Sequence, residues 1–292
     1  MILLDGKSLS KKIKLELSDE LRKSPSANNR KPHLAAILVG DNPASKTYVN
    51  AKERACSEIG FDSTIIQLRE DISQDDLIKK ILQINKDPNI DGLIVQLPLP
   101  SHIDEFLVTN SISEKKDVDG FHPVNLGKMM LGVPCFLPAT PFGIMTLIEE
   151  YDIELNGKNC LVIGRSNIVG RPISILMSRN NKFANATVTL AHSRTKNIKN
   201  LTLNADIIIV ALGKENFLTA DMVKKGVVVI DVGINRIKSN KSKTGWRLVG
   251  DVDFESVKEK ASFITPVPGG VGPMTIISLL KNTFLSYKTK TN

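Results

Sequence analysis

No apolar run in this 292-residue chain approaches the roughly 20 residues that a membrane-spanning helix needs, which argues against a helical membrane protein. Residues 1–14 lack both a signal-peptide core and an Arg-rich transit pattern, so the expected location is the cytoplasm. Only three cysteines occur, Cys56, Cys135 and Cys160, widely spaced and without a C-x-x-C pair or an adjacent histidine. That excludes a disulfide framework and a zinc site, and it fits a reducing compartment. The four histidines have no ligand-spaced partners, so no metal is expected, and His102 and His122 read as capping or packing groups. Aromatic residues make up only 5% of the chain, and the lysines are scattered. A base-stacking platform or a dense basic stripe for nucleic acid is therefore missing. The net charge of +8 (39 − 31) suits the steering of small polyanions such as dinucleotides or polycarboxylate tails.

What is present reads as a two-domain α/β protein, long enough to bury a substantial core, with 41% hydrophobic and 24% charged residues. Apolar runs bounded by turn residues alternate with helical periodicity, the pattern of parallel strands with crossover helices. The candidate strands are 34–39, 63–68, 92–97, 160–164, 187–191, 207–212, 227–232 and 262–267. Between the two groups lie residues 132–141, whose three prolines suit an interdomain connection. Thr140 and Pro141 then resemble an N-cap and first helical residue, opening a helix to about Tyr151. Only the polar tail, residues 288–292, reads as disordered.

Two glycine turns stand at strand ends. Pro268-Gly269-Gly270-Val271-Gly272-Pro273-Met274-Thr275 carries no charge and reads as a binding loop before an amphipathic helix with Ile276, Ile277, Leu280 and Phe284 on one stripe. Gly164-Arg165-Ser166-Asn167-Ile168-Val169-Gly170-Arg171-Pro172 joins an apolar strand to a helix, the arrangement of a phosphate cradle in a dinucleotide fold. Against G-x-G-x-x-G it keeps Gly164 but has Ser166 and Val169 at the other glycine positions, so spacing alone is a weak signal. The next strand ends in His192-Ser193-Arg194-Thr195 with no acid to bond a ribose 2′-hydroxyl. Arg165, Ser193 and Arg194 together favour NADP over NAD, since arginine accommodates a 2′-phosphate. The alternative is that Arg194 and Lys196 belong to a solvated loop.

In the first half, residues 41–52 begin a helix that ends before Gly60. Val49, Lys52, Cys56 and Ile59 recur on its apolar face, with Tyr48 one turn before Lys52. A lysine held among apolar groups has a lowered pKa and exchanges protons near neutrality, unless its amine snorkels out to water. Gln96 ends an apolar strand and needs polar partners, which a lysine amine and a ligand would supply. Lys116-Asp117-Val118-Asp119-Gly120 supplies an acid, although D-V-D-G alone could equally be a surface turn.

Thr265-Pro266-Val267-Pro268-Gly269-Gly270-Val271-Gly272-Pro273-Met274-Thr275 resembles the C-terminal signature of the bifunctional methylenetetrahydrofolate dehydrogenase/cyclohydrolase family. G-R-S-x-x-V-G-x-P from Gly164, S-x-x-Y-x-x-x-K from Ser45, D-G-L-I-V-Q-L-P-L-P from Asp91 and D-V-G-I-N from Asp231 extend the resemblance over nearly the whole chain. It implies two α/β domains with a ligand cleft between them: a folate-binding catalytic domain of residues 1–139 plus 276–292, and a Rossmann-type NADP-binding domain of residues 140–275. It implies Lys52 as the catalytic lysine tuned by Gln96, Tyr48 stacking on or bonding to the folate, and Asp119 gripping the amino-pyrimidine edge of the pterin. Pro98, Gly270 and Pro273 join these against the substrate, while Gly164, Arg165, Ser166, Ser193, Arg194, Gly213 and Ile234 hold NADP. Tetrahydrofolate derivatives, polyglutamylated forms among them, and a second copy of the chain are the implied partners. The chain departs from the family's frequent pattern at Ala139, where a cysteine is common. Rival readings are a dehydrogenase without cyclohydrolase activity, a shikimate dehydrogenase-like reductase, and a catalytically idle NADP sensor. The sensor would not need Tyr48, Lys52, Gln96 and Asp119 together.

Overall fold

The structure, a computed structural model, describes residues 1–23, 30–239 and 245–291. Along the chain run β1 (Ile2–Leu3), α1 (Gly6–Lys23), β2 (His33–Val39), α2 (Pro43–Ile59), β3 (Asp62–Leu68), α3 (Gln74–Lys86), β4 (Gly92–Val95), α4 (Glu105–Ser111), α5 (Pro123–Leu131) and α6 (Ala139–Glu150). There follow β5 (Asn159–Ile163), α7 (Gly170–Ser178), β6 (Thr187–Ala191), α8 (Ile198–Asn204), β7 (Ile207–Val210), β8 (Val228–Asp231), β9 (Asn235–Lys238), β10 (Trp246–Val249), α9 (Phe254–Val257), β11 (Phe263–Ile264) and α10 (Val271–Thr291). These elements form two compact units: Met1–Ser10 with Thr140–Thr275, and Lys11–Ala139 with Ile276–Asn292.

The unit holding most of the C-terminal half is built on a six-stranded parallel sheet, ordered β1-β11-β8-β7-β5-β6. Counted from β5, its five main strands run 2-1-3-4-5, the order of a doubly wound sheet whose switch point lies between β5 and β7. The central strands read as unbroken apolar runs because both faces are covered: Ile207, Ile208, Ile209 and Val210 are all essentially inaccessible. Leu161, Ile163, Ile208, Val210, Val229 and Ile264 belong to one side's core. The first ten residues belong here and not with the folate half as expected. Ile2 and Leu3 pair in parallel with Phe263 and Ile264, and Lys7 N–H donates to Gly269 O at 2.8 Å. Two residues are too short a strand to show periodicity in the sequence. The antiparallel pair of β9 and β10 likewise lies outside the strands expected from the sequence.

The other unit holds a three-stranded parallel sheet, β3-β2-β4, with Ile37, Val39, Leu77, Ile81, Leu93 and Val95 in its core. Helix α2 begins where expected, with the Asn42 carboxamide accepting from Ala44 and Ser45 N–H and proline at the first position. It ends at Gly60 in the left-handed region, φ +86°. Helix α10 is longer at both ends than its apolar stripe suggested. Its first turn absorbs Val271 to Thr275, leaving only residues 268–270 as loop. Residues 288–291, expected to be disordered, continue the helix, with Lys288 Nζ on Glu20 Oε1 at 2.8 Å and Lys290 Nζ on Ile90 O at 2.8 Å. No described helix is long and apolar enough to cross a membrane.

Candidate active site

Lys52 lies on the buried face of α2, beside Val49, Ala55 and Cys56, and is only 8% exposed. Its amine does not snorkel to water. Lys52 Nζ donates to Gln96 Oε1 at 3.1 Å, and Gln96 Nε2 donates to Leu97 O at 2.7 Å. Strand β4 stops at Val95, so Gln96 sits one residue past the strand and not within it, held by its own N–H on Ile37 O at 2.9 Å. Burial lowers the Lys52 pKa, with the Asp119 carboxylate opposing that shift. Burial also raises the Tyr48 phenol on the preceding turn of α2, which is half-buried.

The Asp119 carboxyl is raised by burial, partly offset by the charge of Lys52. No hydrogen bond or ion pair to its carboxylate occurs among the described residues, whereas its backbone is firmly fixed. Asp119 O accepts from Ala139 N–H at 3.1 Å, and Asn282 Nδ2 on α10 donates to both Val118 O (2.8 Å) and Leu137 O (2.9 Å). Gly120 is left-handed at φ +73°, and a Cβ there would lie 2.5 Å from Leu137 C. The neighbouring Asp117 is spent inside the protein: its carboxylate accepts from Phe121 and His122 N–H and from Asn125 Nδ2. Burial pushes Asp117 up to about 7. D-V-D-G is thus a turn with one structural and one unengaged acid.

In the other unit, all the expected cofactor residues stand at the carboxyl edge of the parallel sheet, where ligands of doubly wound folds bind. Gly164 follows β5 with φ +127°, and a Cβ there would meet Ala211 O at 2.2 Å. Glycine is therefore required. Ser166 takes a glycine position of the usual fingerprint because its hydroxyl accepts from Val169 N–H (3.2 Å) and Gly170 N–H (3.3 Å), closing the start of α7. The N–H groups of residues 165–168 donate to no described acceptor, the condition for an anion cradle. Immediately past β6, the 192–195 turn is held by Thr195 Oγ1 and His192 Nδ1, which accept from His192 and Arg194 N–H. Ser193, Arg194 and Arg165 are exposed, and neither guanidinium has a partner among the described residues. These residues fit a dinucleotide carrying an extra phosphate.

Gly213 is exposed past β7 and Ile234 is 43% exposed past β8. Gly213 N–H is already committed to Asp251 at 2.9 Å, so only its carbonyl and bare Cα are left for a ligand. Of the residues assigned to substrate, Pro98 is exposed in the folate-side unit, while Gly270 and Pro273 fall in the cofactor-side unit. Gly270 is buried, its carbonyl 1.9 Å from where a Cβ on Gly6 would stand, and Pro273 is in the first turn of α10. Sequence reasoning missed Asp251, Asn125 and Asn282. Asn282 had a signal, an amide inside a helix otherwise packed by Leu279, Leu280 and Phe284. His122 caps α5 through Nδ1 on Val124 N–H, and His102 Nε2 lies 3.0 Å from Ile72 O. No group of three or more potential metal ligands occurs among the described residues.

Residues 4–119 match the catalytic domain of tetrahydrofolate dehydrogenase/cyclohydrolase, and residues 138–291 match the NAD(P)-binding domain of the same enzymes. The bifunctional protein FolD of Cytophaga hutchinsonii is 60% identical over 97% of this chain and 98% of its own. The crystal structure of the bifunctional methylenetetrahydrofolate dehydrogenase/cyclohydrolase FolD from Campylobacter jejuni superposes with a TM-score of 0.92 at 51% identity, covering 99% of each chain. The Trypanosoma brucei dehydrogenase-cyclohydrolase, solved with NADP and an inhibitor, gives 0.92 at 34% identity, over 99% of this chain and 98% of that one. Together with the lysine-glutamine pair, the unengaged aspartate and the glycine cradle, these likenesses establish that the chain belongs to the tetrahydrofolate dehydrogenase/cyclohydrolase family.

Proposed function

We propose that this chain oxidises 5,10-methylenetetrahydrofolate to 5,10-methenyltetrahydrofolate with NADP and hydrolyses the product to 10-formyltetrahydrofolate. The observation that carries this reading is the buried Lys52 amine on Gln96, with the unengaged Asp119 carboxylate acting on its charge. Asp119 accepts from the amino-pyrimidine edge of the pterin, Tyr48 packs on its ring, and Pro98, Gly270 and Pro273 line the substrate's path. Arg165, Ser193 and Arg194 take the 2′-phosphate, Gly164 and Ser166 the pyrophosphate, and Gly213 and Ile234 the nicotinamide end. When bound, NADP supplies the acceptor for the hydride that leaves the one-carbon bridge. That step requires the two rings to be held in contact.

The hydrolysis needs a proton carrier. Water adds to the methenyl carbon; the bond from that carbon to N5 then breaks, one water proton ends on N5, and the other is released. Lys52, with its pKa lowered by burial, takes the proton from the adding water in its neutral form and returns one to N5 as the ring opens. Gln96 holds the amine in place for both transfers.

By family resemblance the reading extends to a cytoplasmic homodimer that takes polyglutamylated as well as monoglutamylated folates; sedimentation and chain-length series test these points. The activity itself is tested by supplying methylenetetrahydrofolate and NADP and following NADPH and the methenyl species separately by absorbance. NADPH should form while methenyltetrahydrofolate stays low. Absence of NADPH would overturn the dehydrogenase, and stoichiometric methenyl accumulation would overturn the cyclohydrolase.

A further inference from the structure

Asp251 is completely buried, and no Lys, Arg or His contacts its carboxylate among the described residues. Four N–H groups surround it instead. Oδ2 accepts from Leu212 N–H at 2.6 Å and Gly213 N–H at 2.9 Å; Oδ1 accepts from Lys214 N–H at 2.8 Å and Asn235 Nδ2 at 2.9 Å. Four donors saturate the acceptor capacity of one carboxylate. Three successive backbone amides turned onto one anion fix the path of the turn after β7.

A second carboxylate continues the chain of contacts. Asp231, at the end of β8, accepts from Gly233, Asp251 and Val252 N–H, all at 2.9 Å. Its own N–H donates to Thr265 Oγ1 at 2.7 Å, at the end of β11. Ends of three neighbouring strands are thereby tied through Thr265, Asp231 and Asp251 to the turn carrying Gly213. Space for side chains is absent: a Cβ on Gly250 would lie 1.7 Å from Asp231 Oδ2, and one on Gly233 would lie 2.3 Å from Asp251 Cγ.

We infer that Asp251 is a positioning residue for the nicotinamide end of the cofactor, clamping the turn at residues 212–214 and, through Asn235, the segment that follows Ile234. This rests on the assignment of Gly213 and Ile234 to the cofactor. Touching no substrate atom, Asp251 sets where those two residues stand. Since the Gly213 amide is occupied, the turn meets the cofactor with its carbonyl and Cα, and a loosened turn misplaces both.

Asp251→Asn keeps the shape but turns one acceptor oxygen into a donor facing N–H groups, and Asn235→Ala removes one of the four donors. Direct titration with NADP, without folate, should give affinity at least tenfold weaker for Asp251→Asn and a smaller loss for Asn235→Ala. For the dehydrogenase, kcat should fall and KM for NADP should rise. Hydrolysis of supplied methenyltetrahydrofolate, which uses no nucleotide, should keep its wild-type rate. Unchanged NADP affinity in Asp251→Asn would overturn the clamp, and so would equal loss of the nucleotide-free hydrolysis, which would make Asp251 a general structural residue. Failure of the wild-type protein to bind NADP would instead overturn the cofactor assignment on which the clamp rests.

Discussion

Gln96 is held from both ends of its amide: Oε1 accepts from Lys52 Nζ at 3.1 Å and Nε2 donates to Leu97 O at 2.7 Å. Only one orientation of the amide satisfies both contacts, so the group beside the lysine is an acceptor without a charge. Gln96→Glu introduces that charge and loses the bond to Leu97. A carboxylate beside the amine favours the ammonium, so less neutral lysine remains at any given pH. The acid limb of the cyclohydrolase pH-rate profile should move to higher pH, measured with supplied methenyltetrahydrofolate. An unmoved limb would detach Lys52 from that proton transfer.

Lys52→Met keeps length and apolar packing while removing the proton carrier. Cyclohydrolase activity should fall by ~10²-fold or more, the usual scale for a lost acid-base group. Some dehydrogenase activity should survive and release methenyltetrahydrofolate. Circular dichroism checks that the variant is folded; wild-type hydrolysis in a folded Lys52→Met protein would remove the lysine from the mechanism.

Asp119→Ala removes a carboxylate that no described protein group bonds. Its effect should therefore appear in ligand binding: a raised KM for folate in both activities, with NADP affinity nearly intact. Direct folate titration decides the point, and unchanged affinity would make the acid structural.

Arg165→Ala and Arg194→Ala each delete an exposed guanidinium with no described partner. A charge-assisted contact contributes about 1.5–3 kcal/mol, or roughly 10- to 150-fold in affinity. Each variant should lose this for NADP and very little for NAD. Equal losses for the two cofactors would sink the 2′-phosphate assignment.

Asp117 and Asp231 bear on stability against pH. Burial raises the first to about 7 and the second to about 6, from an ordinary 3.8, so between those limits the folded chain binds more protons than the unfolded one. Stability from these groups is complete below about pH 4 and is lost as pH rises through about 6 and 7. Each can contribute a slope of up to about −1.4 kcal/mol per pH unit. Denaturant unfolding of Asp117→Asn between pH 5 and 7 should show a shallower decline than the unchanged protein, and equal slopes would refute the shift.

Where side chains act through their own helix or strand, the sequence was a sufficient guide. The apolar face of α2 revealed Lys52, and runs such as Ile207 to Val210 revealed the parallel sheet. Residues acting across the chain were less legible. Asp251 is bonded to amides 37–39 positions away, and Asn282 to carbonyls 145 and 164 positions away. No local pattern encodes such a partner. The glycine loop at 268–275 misled in another way: its composition describes a loop, but Val271 onward is helical because proline fits the first turn of a helix, where its missing N–H costs nothing.

The two-residue strand β1 has a consequence for how the chain folds during synthesis. Ile2 and Leu3 are made long before Phe263 and Ile264, their sheet partners among the described residues, about 260 positions later. In the same way Ser286, whose Oγ donates to Asp91 O at 2.7 Å, joins its unit only after residues 140–275 of the other unit have been translated. Neither unit is a continuous piece of polypeptide, so neither can be completed on the ribosome before its last residues appear. Contacts of such separation carry the largest loop-closure cost and slow folding. A ribosome-bound chain stalled before residue 260 lacks Phe263 and Ile264, which leaves the β8 side of the six-stranded sheet without its partner strand.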